Sequence, residues 1–189
     1  MNAPIFHLNG LPASGKLTIA KAMAKHTPTT ILDNHVFLDF VSHFVPRNTK
    51  AREQAIVDAL DLGLRAIENH ETPNTNTIVF TNVLVDEVWS DRARWERITH
   101  FAEKMNRPLF PVVVNCPTKV CLQRVENPDR KTKHKLTNTD VARMVFEESK
   151  SYTLMTMSTH PHRLDIDSST QSVDNSAKSI FDHVTSLGF

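Results

Sequence analysis

A chain of 189 residues is long enough to bury a full core in one domain without disulfide or metal staples. Hydrophobic residues at 40% and charged residues at 23% are an ordinary soluble composition. A net charge of +1 excludes the general electrostatic pull toward nucleic acid or membrane that a basic protein exerts. The longest apolar run is about half a membrane span and no basic region precedes an apolar run at the N-terminus, so a single cytoplasmic domain over 1–189 is expected.

"PIFHLN" (4–9) predicts a buried strand, followed by the loop "GLPASGKLT" (10–18) and a helix over 17–26 with Ile19, Ala20, Met23 and Ala24 on one side. "TTILD" (29–33) is a second short strand. Residues 50–69 carry Ile56, Leu60, Leu64 and Ile67 at helical spacing. "NTIVFTNVLV" (76–85) is a β-branched strand, and Ser90 or Asp91 can cap a helix bearing Ile98, Phe101, Ala102 and Met105.

"LFPVVVN" (109–115) is another apolar strand, weakened by Pro111. Pro117 suits a helix start, since its missing N–H would be unpaired there anyway. The polar stretch "ENPDRKTKHKLTNTD" (126–140) predicts a mobile loop, after which Val141, Met144 and Val145 begin a helix. "HRLDID" (162–167) is the last strand, and 172–187 place Ala177, Ile180, Phe181, Val184 and Leu187 on one helical face. Five strands interleaved with helices predict a parallel sheet covered on both sides, an α/β fold. Cys116 and Cys121, the only cysteines, are expected as buried thiols, and the scattered histidines do not predict a zinc site.

The loop after the first strand is the strongest functional signal. Gly10 and Gly15, two of only four glycines, frame a variant of the phosphate-binding pattern G-x-x-x-x-G-K-[ST], with Leu17 where the hydroxyl is expected and Thr18 one place later. Backbone amides of such a loop and of the helix it opens cradle a phosphate, and Lys16 neutralises the β- and γ-phosphates. Gly10, Leu11, Pro12, Ala13, Ser14, Gly15, Lys16, Leu17 and Thr18 are therefore candidate nucleotide ligands, with Leu17 expected to pack into the domain.

Together with "LDNH" (32–35), "NCP" (115–117), "RVENPDR" (124–130), "HKLT" (134–137) and "LDIDSS" (164–169), the loop resembles the P-loop kinase superfamily. It is most similar to the shikimate kinase-like and chloramphenicol phosphotransferase-like proteins and to uncharacterised AAA-family ATPases. The Gly-Lys-x-Thr arrangement also looks like that of adenylate kinases, which makes Thr18 the candidate phosphate contact and magnesium ligand.

The resemblance implies a three-layer, nucleoside-monophosphate-kinase-like fold of strand order 2-3-1-4-5. It implies a substrate-binding region at about 34–70, a lid at about 126–140, and transfer of the γ-phosphoryl of ATP, with Mg2+, to a small hydroxyl compound. It places Arg124 near the nucleotide, Arg130 over the transferring phosphoryl group, and Ser168 and Ser169 by the adenine edge; a turn and helix cap is an equal reading for the two serines.

Asp33 ends the second strand. It can serve as the base for the accepting hydroxyl, hold a magnesium-bound water, or simply make a turn with Asn34. His35 faces the same side if the strand continues. Shikimate kinase-like members carry aspartate where His35 stands, which argues against shikimate itself. Arg47 and Arg52 are candidate contacts for an anionic substrate, or surface charges on the helix beginning near 50. The third strand ends "FTN" without the carboxylate of motor ATPases, leaving Thr81 and Asn82 for a water-bridged metal. Two other functions fit the same sequence: a nucleotide-binding regulatory module, and a kinase acting on a nucleotide or RNA end. The latter lacks a basic stripe or aromatic platform.

Overall fold

The computed structural model describes residues 2–47, 49–70, 76–127, 137–148 and 154–189. Five strands, β1 (Ile5–Asn9), β2 (Thr29–Asp33), β3 (Thr77–Asn82), β4 (Leu109–Asn115) and β5 (Leu164–Asp167), form one sheet in the order β2-β3-β1-β4-β5. Every pairing is parallel, as in Leu8↔Thr81 and Leu8↔Val112. Both the layered α/β class and the expected strand order are found.

The central strands read as unbroken apolar runs because helices cover both faces. On one face Ile5, Phe80 and Val113 pack with Leu60 and Leu64 of α3 (Lys50–Asn69) and with Trp95, Ile98 and Phe101 of α4 (Trp89–Lys104). On the other, Phe6, Leu8, Val79, Phe110 and Ile166 pack with Ile19 and Met23 of α1 (Lys16–Met23) and with Ala177 and Ile180 of α8 (Val173–Ser186). A smaller cluster joins Leu11 to Cys121 and Val125 of α5 (Thr118–Val125) and to Ala142 and Phe146 of α6 (Thr139–Glu148). Both cysteines are free; Cys121 is buried, which pushes its thiol up to about 12, and Cys116 is half-buried. The remaining helices are α2 (Asn34–Ser42) and the short α7 (Met155–Ser158). Among the described residues no helix is long and apolar enough to cross a membrane.

Pro111 sits inside β4, opposite His7 of β1. Its position is tolerated because of the alternation along the strand. The carbonyls of Leu109 and Asn115 point to the β5 side, where they accept from His162 Nδ1 and Ser168 N. Pro111 shares their parity, so its nitrogen faces the same side, and β5 begins only at Leu164, opposite Val112. No ladder donor is lost.

Two helix starts differ from expectation. The second strand does not continue past Asp33: Asn34 opens α2, and Asp33 is its N-cap, accepting a long 3.5 Å bond from His35 N. The helix of 89–104 is not capped by Ser90 or Asp91. Val88 stands at its N-cap, both polar residues are buried in the first turn, and Asp91 Oδ2 instead accepts from Val85 N at 2.9 Å while the carboxylate pairs with Arg94. Asp91 thus ties down the chain leaving β3 rather than the helix's own amides.

Candidate active site

All strands being parallel, the loops after β1, β2, β3 and β5 gather at one edge of the sheet, where an open cleft of about 700 Å3 lies. Its wall includes Pro12, Ala13, Gly15, Lys16, Leu17 and Thr18 from the first loop and Asp33, Asn34 and His35 from the β2–α2 junction. Thr81, Asn82 and Val83 close it from β3, and Arg124, Asn127, Ser168, Gln171, Val173 and Ser176 from the β4 and β5 side.

The first loop has the conformation an anion cradle needs. Gly10 has φ 150° and Gly15 φ 95°, and Ala13 between them is left-handed at φ 66°. A Cβ on Gly10 would stand 2.4 Å from the Val114 carbonyl oxygen, so only glycine lets the loop pass this close to β4. α1 begins directly after Gly15 with no side-chain cap, leaving its first amides for a ligand. Lys16 Nζ donates to the Gly10 and Leu11 carbonyls, 2.7 Å each, and approaches Ser14 Oγ at 3.5 Å. The ammonium is thus held at the loop's mouth. Ser14 is fully buried and Leu11 packs beneath the loop on Cys121 and Phe146, so these two shape the cradle from behind. Thr18 is exposed and lines the cleft, whereas Leu17 is half-buried on the cleft wall rather than packed in a core cluster.

Opposite the loop, Thr81 Oγ1 donates to Asp33 Oδ1 at 3.0 Å. Beside Asp33, the Asn34 amide oxygen accepts from Arg94 Nη1 at 2.8 Å. Arg94 and Asp91 form a buried ion pair; burial pushes the Asp91 carboxyl up, against the opposing pull of Arg94. Below Asn82 lies His7, fully buried in β1, with Asn82 Nδ2 2.9 Å from its Nε2. Burial pushes the His7 imidazole down to about 3, helped by the Arg94 guanidinium and, more weakly, by Lys16. Asn9, the next inward-facing residue on β1, clasps the Leu84 backbone at both its N–H and its carbonyl, fixing the chain beyond β3.

On the β5 side of the cleft Arg124 donates to the Ser168 carbonyl at 2.8 Å, to Ser168 Oγ at 3.3 Å and to Cys116 Sγ at 3.5 Å, and its Nη1 lies over Gly15. Ser169 does not line the cleft. It closes a turn on Asp167, whose carboxyl these bonds hold below the usual carboxylate range.

Four oxygen donors on the cleft wall fit magnesium. They are hard oxygen ligands: the Thr18 hydroxyl, the Asp33 carboxylate, the Thr81 hydroxyl and the Asn82 amide. Among the described residues no three His, Cys, Asp or Glu side chains cluster.

Residues 7–145 match the family model AAA_18, described as an AAA domain. The chain belongs to that family. Among curated proteins none matches the sequence. Solved structures share the fold of this AAA-domain protein over nearly its whole length. A sugar kinase from Janibacter sp. HTCC2649 aligns with TM-score 0.62 at 13% identity, covering 97% of this chain and 95% of that one. The Mycobacterium tuberculosis APS kinase, solved with AMPPNP and APS, aligns at 0.60 and 13%, covering 97% and 98%. A gluconokinase from Sinorhizobium meliloti 1021 aligns at 0.59 and 13%, covering 98% and 93%. The fold is that of the P-loop kinases.

The cleft brings together most of the residues singled out from sequence; besides Ser169, and Gly10, Leu11 and Ser14 behind the loop, Arg47 and Arg52 do not line it. Arg47 is exposed. Arg52 is turned away, its guanidinium bonded to Ser42 Oγ at 2.9 Å and, at 3.4 Å, to the Leu38 and Val45 carbonyls, so it caps the end of α2. Arg130 lies outside the described residues. His35 reaches the cleft from the first turn of α2, not from an extended strand. Asn34, Gln171, Val173 and Ser176 are lining residues the sequence did not single out; only their nearness to Asp33 and Ser168 in the chain hinted at them.

Proposed function

We propose that this AAA-domain protein is an ATP-dependent phosphotransferase that moves the γ-phosphoryl group to a hydroxyl of a small molecule. The observation that carries this reading is one cleft with an uncapped phosphate loop and Lys16 on one wall and the Asp33 carboxylate, fixed by Thr81, on the other. An oriented carboxylate opposite the phosphate loop favours transfer over binding alone. The kinase folds reported above support the reading by analogy of architecture.

In this scheme the loop amides and Lys16 bind the phosphates, and Arg124 and the Ser168 turn hold the nucleoside end. The acceptor sits toward Asn34 and His35. Its hydroxyl oxygen forms a bond to the γ-phosphorus as the bond to the bridging oxygen of ADP breaks, and its proton passes to Asp33. Magnesium, if bound, would be held by Thr18, with ligation by Asp33 the alternative to its role as base, and would supply charge neutralisation at the β- and γ-phosphates. Arg130, on the segment 126–140, acts as a lid arginine that adds positive charge to the transferring group. Region 34–70 supplies the acceptor side.

Screening hydroxyl metabolites and nucleosides with γ-labelled ATP tests this directly. Label should appear on one acceptor class, and Asp33→Asn should abolish transfer while ATP still binds. ATP binding with no transfer to any hydroxyl would overturn the phosphotransferase reading and leave a nucleotide-binding module.

A further inference from the structure

His7 is an expensive residue where it stands. It is fully buried in the middle of β1, between Phe80 and Trp95, and among the described residues its Nδ1 has no hydrogen-bond partner beyond its own backbone. A phenylalanine or leucine there would fill the same apolar layer without a desolvated polar atom. What the imidazole provides is its other nitrogen. The ring's proton belongs on Nδ1, beside the residue's own carbonyl, which leaves the Nε2 lone pair to accept from Asn82 Nδ2 at 2.9 Å. With Nδ2 turned inward, the Asn82 end that faces the cleft is Oδ1, and among the described residues that oxygen has no protein partner.

Asn82 ends β3, in register with Asn9, which immediately precedes the phosphate loop. Asn82 and Lys16 line the same cleft, so the amide stands on the wall of the site where the γ-phosphate is expected. An unassisted amide here can flip and present Nδ2 instead, a donor where a carboxylate-like acceptor is needed.

We propose that His7 is a positioning residue: its Nε2 locks the Asn82 amide so that Oδ1 accepts a hydrogen bond from an O–H donor in the cleft. That donor is either a water on the nucleotide's cation or the hydroxyl that takes up the phosphoryl group. The proposal rests on the nucleotide reading above. It explains how the site manages with a neutral residue at the end of β3: a fixed amide oxygen stands in for the absent carboxylate.

The test compares wild type with His7→Phe, His7→Gln, Asn82→Ala and the His7→Phe/Asn82→Ala double variant, each confirmed folded. Affinity for metal-free AMPPNP is measured first, then Mn2+ affinity of the AMPPNP complex by electron paramagnetic resonance, then hydrolysis of ATP with water as acceptor. His7→Phe should leave metal-free AMPPNP binding within about twofold and lower Mn2+ affinity or the hydrolytic rate about tenfold, as loss of an outer-shell orienting partner does. His7→Gln, whose amide oxygen can accept from Asn82, should recover most of the loss. The double variant should be no worse than Asn82→Ala alone, because both changes break one interaction.

A fall in Mn2+ affinity identifies the donor as cation-bound water; a fall in hydrolysis alone identifies it as the attacking O–H. Unchanged values in both assays overturn the proposal. So does a loss that His7→Gln shares while thermal stability falls in step, since that is a packing defect. Failure of wild type to bind AMPPNP would instead remove the nucleotide reading, and this proposal with it.

Discussion

Thr81 and Asp33 face each other across the β2–β3 seam, and the Thr81 hydroxyl donates to Asp33 Oδ1 at 3.0 Å. The bond leaves the second carboxylate oxygen directed by the first, at a helix start where His35 N supplies only a long 3.5 Å contact. Thr81→Val keeps the shape and removes the donor. The expected result is a turnover lower by about one to two orders of magnitude, the cost of a misplaced reacting group. ATP affinity should hold, and stability should drop by only about 1 kcal/mol, that of one hydrogen bond. Steady-state kinetics alongside urea unfolding separates the two effects. Normal turnover would show that Asp33 needs no such orientation.

Lys16 is tethered to the Gly10 and Leu11 carbonyls, so its ammonium stays over the loop without a phosphate to attract it. Lys16→Ala should therefore cut phosphoryl transfer by about a thousandfold or more, through loss of transition-state charge stabilisation, and weaken ATP binding as well. Calorimetric titration with ATP and a turnover assay on the folded variant check both. Wild-type values in either would remove this loop from the nucleotide site.

Thr18 is exposed in the cleft while Leu17 is half-buried on its wall, so the loop hydroxyl comes one residue later than the simple pattern has it. Thr18→Val should lose magnesium-dependent activity, visible as a raised magnesium requirement at saturating ATP. Leu17→Met, which conserves volume and polarity, should cost under about 1.5 kcal/mol in stability and leave the magnesium curve in place. Identical curves for Thr18→Val and wild type would mean that no hydroxyl is needed there.

The sheet was legible because buried parallel strands are written as apolar runs: "IFHLN" and "LFPVVVN" read as strands, and Pro111, which weakened the second reading, obstructs nothing where its nitrogen faces past the end of β5. The phosphate loop was legible because its glycines answer to backbone geometry. The junction after Asp33 was not. Whether Asp33-Asn34 ends a strand, makes a turn or caps a helix depends on packing: Phe37 and Val41 bury one face of α2, and Arg52 seals its far end. Arg52 itself shows why charge alone misleads, since a guanidinium satisfied by three local acceptors cannot be told from a substrate ligand by its letter. His7 was hidden for the opposite reason, an imidazole lying inside what reads simply as a strand.

His7 also sets a pH dependence. Its folded-state value lies near 3 because burial and Arg94 oppose its charge, whereas an exposed histidine titrates near 6.5. Below about pH 6.5 the unfolded chain takes up a proton that the folded chain refuses, so this residue's contribution is fully present above that pH and is lost progressively toward about pH 3. The slope approaches about 1.4 kcal/mol per pH unit. Urea unfolding between pH 7 and pH 4.5 should show stability falling faster for wild type than for His7→Phe. Parallel curves would mean that the imidazole is protonated in the fold.

Gly10 and Gly15 both have positive φ, yet they should not respond alike to alanine. At Gly15 the nearest atom to an added Cβ is Arg124 Nη1 at 3.9 Å, an ordinary contact at the end of a flexible side chain. The penalty is then the left-handed backbone alone, about 1–2 kcal/mol. At Gly10 the Cβ would meet the Val114 carbonyl oxygen at 2.4 Å, and that carbonyl belongs to a buried residue near the end of β4. It cannot give way without breaking the sheet, so the loop must lift. Gly10→Ala should therefore cost clearly more than Gly15→Ala in thermal or urea unfolding. It should also displace the Gly10 carbonyl from Lys16 Nζ, weakening ATP binding even under conditions where the variant is fully folded. Equal stability losses in the two variants would show that the strand, and not the loop, accommodates the methyl group.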